Sequence, residues 1–242
     1  NQIYILKSLT YFVDADEQPM PKMHIQVSWE EIKKSIIDQV KEFKFPKNCP
    51  ICDSTVERKE GESAIRCTNP NCFAQDRERF IHFATVMNID GMGEKVIDLL
   101  LETQLINELA DIFSLTRNDL LQLPLFKDKK ADKLIEAIKA VKQVSLERFL
   151  SALGIRQVGE ETALELANFL REEQISRIKE TEDHQGIKTI TDLLILAQEM
   201  DTEKLETVDG FGKKVSQEIL GWFKAEKNQY LLKKLEEVGI TF

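Results

Sequence analysis

From His82 onward, apolar residues recur every three to four positions with few interruptions, the spacing that lines one face of an α-helix. Ala131, Leu134, Ile135, Ile138 and Val141 form one stripe, and Leu146, Phe149, Leu150 and Leu153 the next. Val215, Ile219, Trp222 and Phe223 form another near the end of the chain. Such stripes are helix cores and carry no further assignment. Residues 1–45 differ in texture, with β-prone runs at 3–6, 9–13 and 23–27. A helical stretch then opens at Ser28, which has capping-box spacing to Glu31. Residues 171–191 are polar and charged around Asp183-His184-Gln185-Gly186, which predicts an exposed loop or insertion. The pattern predicts a mainly α fold, a helical array preceded by a short mixed α/β segment.

Composition narrows the class. At 42% hydrophobic and 31% charged residues over 242 positions, the chain is too apolar for general disorder and reads as a soluble, intracellular protein. No apolar run approaches the ~20 residues of a membrane-spanning helix, so no membrane partner is expected. A net charge of -9 excludes a surface coated with phosphate-binding cations but leaves room for local contacts through backbone amides. Any phosphate-binding face must segregate its lysines. Lys127, Lys129, Lys130 and Lys133 are one candidate cluster, although such runs are usually solvated helix starts. His24, His82 and His184 sit in no acid–base or nucleophilic constellation and read as surface or packing residues.

The four cysteines fall in two close pairs, Cys49-Pro50-Ile51-Cys52 and Cys67-Thr68-Asn69-Pro70-Asn71-Cys72. The intervening segment holds two β-prone runs, 55–58 and 64–66, around a turn at Glu60-Gly61-Glu62. One hairpin's worth of chain brings four thiolates to the corners of a tetrahedron, the geometry that structural zinc prefers. Two disulfides or four unrelated buried thiols are the competing readings. With cysteine at all four corners, no coordination position is left for water, so Zn2+ here would be structural.

Two near-repeats punctuate the helices: Ile89-Asp90-Gly91-Met92-Gly93-Glu94-Lys95-Val96 and Val208-Asp209-Gly210-Phe211-Gly212-Lys213-Lys214-Val215. Two glycines around one hydrophobe predict a tight turn whose middle side chain plugs the core while its backbone faces outward. The helix that follows offers unsatisfied N–H groups and the positive end of its dipole to an anion. Lys95, Lys213 and Lys214 can pair with the same phosphate or a neighbouring one. Weaker copies lie between. Gln157-Val158-Gly159 keeps only the second glycine, and Leu125-Phe126-Lys127 keeps neither. A glycine pair that merely separates two helices is the bland alternative for any one copy. The repetition favours helix-hairpin-helix binding of a nucleic-acid backbone without sequence readout. For the second copy, over 123–131, a packing role without phosphate contact is an open alternative.

These residues resemble the C-terminal half of bacterial NAD+-dependent DNA ligases. The resemblance covers residues 45–240 and rests on both cysteine pairs, Ala74-Gln75, Arg79-Phe80-Ile81-His82-Phe83-Ala84, Ile89-Asp90-Gly91-Met92-Gly93-Glu94-Lys95 and Ala152-Leu153-Gly154-Ile155-Arg156-Gln157-Val158-Gly159. It implies a four-cysteine zinc finger over 46–81 and a helix-hairpin-helix domain over 82–242 that clamps nicked or intact duplex DNA. Residues 1–45 would be a remnant of the family's oligonucleotide-binding barrel or an unrelated element. In the family an upstream domain uses NAD+ to adenylate the lysine of a Lys-x-Asp-Gly motif. That motif does not occur in this sequence, so the chain alone is expected neither to take AMP from NAD+ nor to seal a nick. A monomer in the bacterial cytoplasm is the expected setting. A stand-alone binder of duplex or branched DNA, or a scaffold that has lost DNA binding, are the alternatives.

Overall fold

Two strands of two residues each, β1 (Val56–Glu57) and β2 (Arg66–Cys67), pair antiparallel, with Val56 opposite Cys67 and Glu57 opposite Arg66. The elements that follow are all helical: α1 (Phe73–Val86), α2 (Glu94–Glu102), a 3-10 helix (Leu109–Ser114), α3 (Arg117–Leu121), α4 (Asp128–Ala140) and α5 (Leu146–Ala152). Next come α6 (Glu160–Ile178), α7 (Ile190–Glu199), α8 (Thr202–Leu205), α9 (Lys213–Lys224) and α10 (Glu226–Glu237). This computed structural model describes residues 45–58, 64–69, 72–124, 126–178 and 186–242, and Lys47–Phe242 forms one unit. The β-prone runs and the Ser28 helix expected in the first 45 residues lie outside the described residues, as does the turn at Glu60-Gly61-Glu62. The mainly α architecture is as the hydrophobic periodicity predicts.

The stripes face one continuous core. Ala131, Leu134 and Ile138 of α4, Leu146, Phe149 and Leu150 of α5, and Ile219 and Phe223 of α9 are buried, with Ile135, Val141, Val215 and Trp222 packed at its margin. Helix α1 packs on both α2 and α5, and α10 packs on α7, α9 and the 3-10 helix. The Phe83 and Phe113 rings meet edge to face at 6.2 Å. The last residues stitch the array together. Thr241 pairs in parallel with Gln143, Phe242 donates its N–H to the Lys188 carbonyl at 2.9 Å, and its ring lies 5.0 Å from Phe149.

The expectation of a loop over 171–191 is corrected for 171–178, which are helical, whereas 179–185 lie outside the described residues. Helix α6 continues to Ile178, and α7 begins at Ile190 with Thr189 as its cap. Residues 171–178 contain no glycine or proline, and their charged side chains are good helix formers. Neighbours also hold the helix from two sides. Arg171 donates to Glu147 of α5 at 2.7 Å, and Lys204 of α8 donates to Glu173 at 3.1 Å. Charge on this helix marks a solvated face, not a break.

Candidate metal centre and nucleic-acid interface

The two cysteine pairs converge. Their four Sγ atoms all lie within 4.8 Å of one another, with Cys49–Cys72 at 3.8 Å and Cys52–Cys67 at 3.4 Å. Thiolates placed tetrahedrally around zinc at its usual bond length sit about 3.8 Å apart, whereas a disulfide needs about 2.05 Å. All four cysteines are free thiols, which removes the disulfide reading, and an all-sulfur donor set suits zinc. The chain reverses sharply to achieve this. Cys49 donates its N–H to Ser54 at 2.7 Å, Asp53 donates back to Cys49 at 2.9 Å, and Asp53 itself takes φ 56°. On the second arm Gln75 reaches back from α1 to the Cys67 carbonyl at 2.7 Å, and Cys72 is the residue that opens α1. The two arms are joined by Thr68, which donates to Thr55 at 3.0 Å.

Protons compete with a metal here. Hydrogen bonds from Ser54 bring Cys52 down to about 6, whereas burial pushes Cys67 up to about 12 and also raises Cys72. Metal uptake by such a set displaces protons and weakens as pH falls. A cleft of about 930 Å3 beside the centre is lined by Cys49, Cys67 and Cys72 and by Arg66, Arg79 and Arg156. The same cleft is lined by Gly154, Ile155 and Val158, so the third turn borders it.

The four turns share one geometry. The middle hydrophobe of each is buried: Met92, Phe126, Val158 and Phe211. Each donates its N–H to the carbonyl three residues earlier, at Ile89 (3.1 Å), Leu123 (3.1 Å), Ile155 (3.0 Å) and Val208 (3.0 Å). The residue before it takes a left-handed conformation in three copies, at Gly91 (φ 83°), Gln157 (φ 65°) and Gly210 (φ 79°). Leu125, in the remaining copy, lies outside the described residues. The turn therefore favours glycine at the first position, and Gln157 sits there under strain.

The second glycine has no such cause. Gly93 (φ -79°, ψ 173°) and Gly212 (φ -84°, ψ 169°) have extended backbones open to any residue. A side chain added at Gly93, Gly159 or Gly212 would meet nothing within 4 Å. Lys127 fills the same position in the second copy with an extended backbone. No side chain caps α2, α4 or α9, nor α1, α5 or α10, whereas Thr116, Thr189 and Asp201 cap α3, α7 and α8. The helices that follow the turns thus keep their first amides exposed. Lys95 and Lys213 are exposed and form no ion pair among the described residues, and Lys214 is exposed beside them.

Sequence reasoning missed the arginines that brace the first two turns. Arg77 of α1 donates to Asp98 at 2.5 Å and to Glu94 at 3.2 Å, both on α2. Arg117 of α3 donates to Asp132 at 2.7 Å and also binds Asp128, both on α4. The hydrogen bonds and charge of these acids raise both arginine pKa values. The signal was present as acids at the same two offsets after both turns. His82 proves to be a packing residue that hydrogen-bonds to the Ser151 carbonyl at 2.9 Å.

Comparison with known proteins gives the same two modules. Residues 48–74 match the NAD-dependent DNA ligase C4 zinc finger domain, and residues 83–140 match the SAM-like helix-hairpin-helix tandem. The chain is 38% identical to a DNA ligase of Bacillus velezensis over 203 residues, covering 83% of this chain and 27% of that protein. It is 41% identical to one of Shouchella clausii over 202 residues, with the same coverage. Against a DNA ligase of Bacillus subtilis it is 37% identical over 217 residues, 87% of this chain and 29% of that protein. The chain thus spans little more than a quarter of the relatives' length. Over that stretch it is similar to those DNA ligases, with the C4 zinc finger of the NAD-dependent enzymes followed by a helix-hairpin-helix tandem.

Proposed function

We propose that this chain serves as the noncatalytic, DNA-clamping portion of an NAD+-dependent DNA ligase that seals nicks in duplex DNA during replication and repair. The observation that carries the reading is the space around Gly93, Gly159 and Gly212. A Cβ at any of these positions would meet nothing within 4 Å, and without one the backbone is open to close approach by another backbone from outside. A phosphodiester backbone fits, because the neighbouring helix starts offer uncapped amides and, at Lys95, Lys213 and Lys214, cations. Gly91 and Gly210 shape the turns. Gln157 and Gly159 form a weaker third contact, since Glu160 and Glu161 follow them. Residues 46–81 act as a structural zinc module with Cys49, Cys52, Cys67 and Cys72 as ligands, and 82–242 as the DNA-binding part. NAD+ is used by a separate adenylation domain, and the setting is the bacterial cytoplasm, as a monomer. The test is the pair Gly93→Val and Gly212→Val, which keeps every charge. Duplex affinity should fall about tenfold or more, the worth of one hydrogen bond to a charged group, with helical content retained. Unchanged affinity contradicts the reading.

A further inference from the structure

The first residue of α2 is Glu94 and that of α4 is Asp128, so each of the first two turns places a carboxylate beside the amides that would receive a phosphate. An acid at a helix start stabilises the helix but repels a second anion from the same amides. In both cases one arginine from the preceding helix spans that acid and the one a turn later. Arg77 takes Glu94 and Asp98, and Arg117 takes Asp128 and Asp132. The other two turns serve as internal comparisons. At the fourth, Lys213 and Lys214 open α9, so there is no acid to neutralise. At the third, Glu160 and Glu161 open α6. The arginine braces at the first two turns thus each sit on a helix that opens with an acid.

We infer that Arg77 and Arg117 are positioning residues for DNA binding: each offsets part of the carboxylate charge at its helix start, Arg77 while also pairing with Glu78, and so keeps those amides more receptive to phosphate without touching DNA itself. This rests on the DNA-clamping reading above. It orders the turns by receptivity, with the fourth ahead of the first and second.

The test uses the zinc-loaded full chain and a fluorescently labelled duplex, with affinity measured across a salt series. Arg77→Gln and Arg117→Gln should each weaken binding about two- to fivefold, the scale of a partly exposed charge pair. Adding Glu94→Gln and Asp98→Asn to Arg77→Gln should restore the affinity of the unaltered chain, since no acid remains to be neutralised. A brace that only holds two helices together would not be rescued this way. The dependence of log affinity on log salt should stay unchanged, whereas loss of a direct arginine–phosphate contact lowers its slope by about 0.9. Should the arginine variants unfold, Glu94→Gln with Asp98→Asn in the presence of Arg77 must bind at least as tightly as the unaltered chain. Failure of rescue, a slope lowered by that amount, or weaker binding of the acid-only variant would each overturn the inference alone. Absence of duplex binding by the unaltered chain would overturn the functional reading along with it.

Discussion

Gly93 and Gly212 occupy the same place in two separate turns, each leading into an uncapped helix with an extended backbone and empty space where a side chain would project. Serine is a better residue than glycine at a helix N-cap, because its hydroxyl accepts a bond from the first turn's amides. Gly93→Ser with Gly212→Ser should therefore raise stability by about 0.3 kcal/mol per site, read from the urea midpoint. The same hydroxyls occupy the amides proposed to hold phosphate, so duplex affinity should fall. Stability and binding moving in the same direction would argue against the amide cradle.

Gln157 holds φ 65° where the equivalent positions are Gly91 and Gly210. Left-handed backbone costs a residue with a side chain about 1 kcal/mol or more. Gln157→Gly is expected to stabilise by up to about 1 kcal/mol, and Gly91→Ala or Gly210→Ala to destabilise by about as much. Denaturant unfolding of the three variants checks both signs.

Metal content follows from the sulfur geometry. The purified chain should hold one zinc, and Cys72→Ala should hold none, as counted by native mass spectrometry. Cys72 opens α1, which packs on α2 and α5, so metal loss should loosen the first turn while the remaining helices persist in far-ultraviolet circular dichroism. Full zinc content in the variant would exclude the tetrathiolate site.

Acid should weaken the start of α3. The Asp119 carboxylate accepts the Thr116 N–H at 2.9 Å and its hydroxyl at 2.6 Å, which holds its pKa below the ordinary value of 3.8. A folded-state pKa below the unfolded one means that the contribution is complete above pH 3.8 and disappears as pH drops through the folded value. Asp119→Asn should cost about 0.3–1 kcal/mol at pH 7 and less at a pH well below 3.8. An equal difference at both pH values would show that charge plays no part in the cap.

Much of this was legible because the relevant signals are local. Cysteine spacing encodes the convergence of four thiols, and Gly-hydrophobe-Gly encodes a turn with a buried plug, as Met92 and Phe211 show. What escaped depended on pairing between elements. The matched acids after the first two turns do not name the arginine that reaches them from the preceding helix, and the polar stretch after Leu170 reads as a loop until Glu147 and Lys204 are seen holding it. The 3-10 helix Leu109–Ser114 was also hidden, since a short run buried on several sides has no helical stripe to display.

The central claim is that this acidic chain binds a DNA duplex through its backbone. The most direct measurement is fluorescence anisotropy of the zinc-loaded chain with labelled nicked duplex, intact duplex and single strand from low to physiological salt. The account predicts duplex binding that weakens steeply as salt rises, in proportion to the phosphates contacted, and is tighter than binding to single strand. No duplex binding at the lowest salt, or equal affinity for single strand, would contradict it.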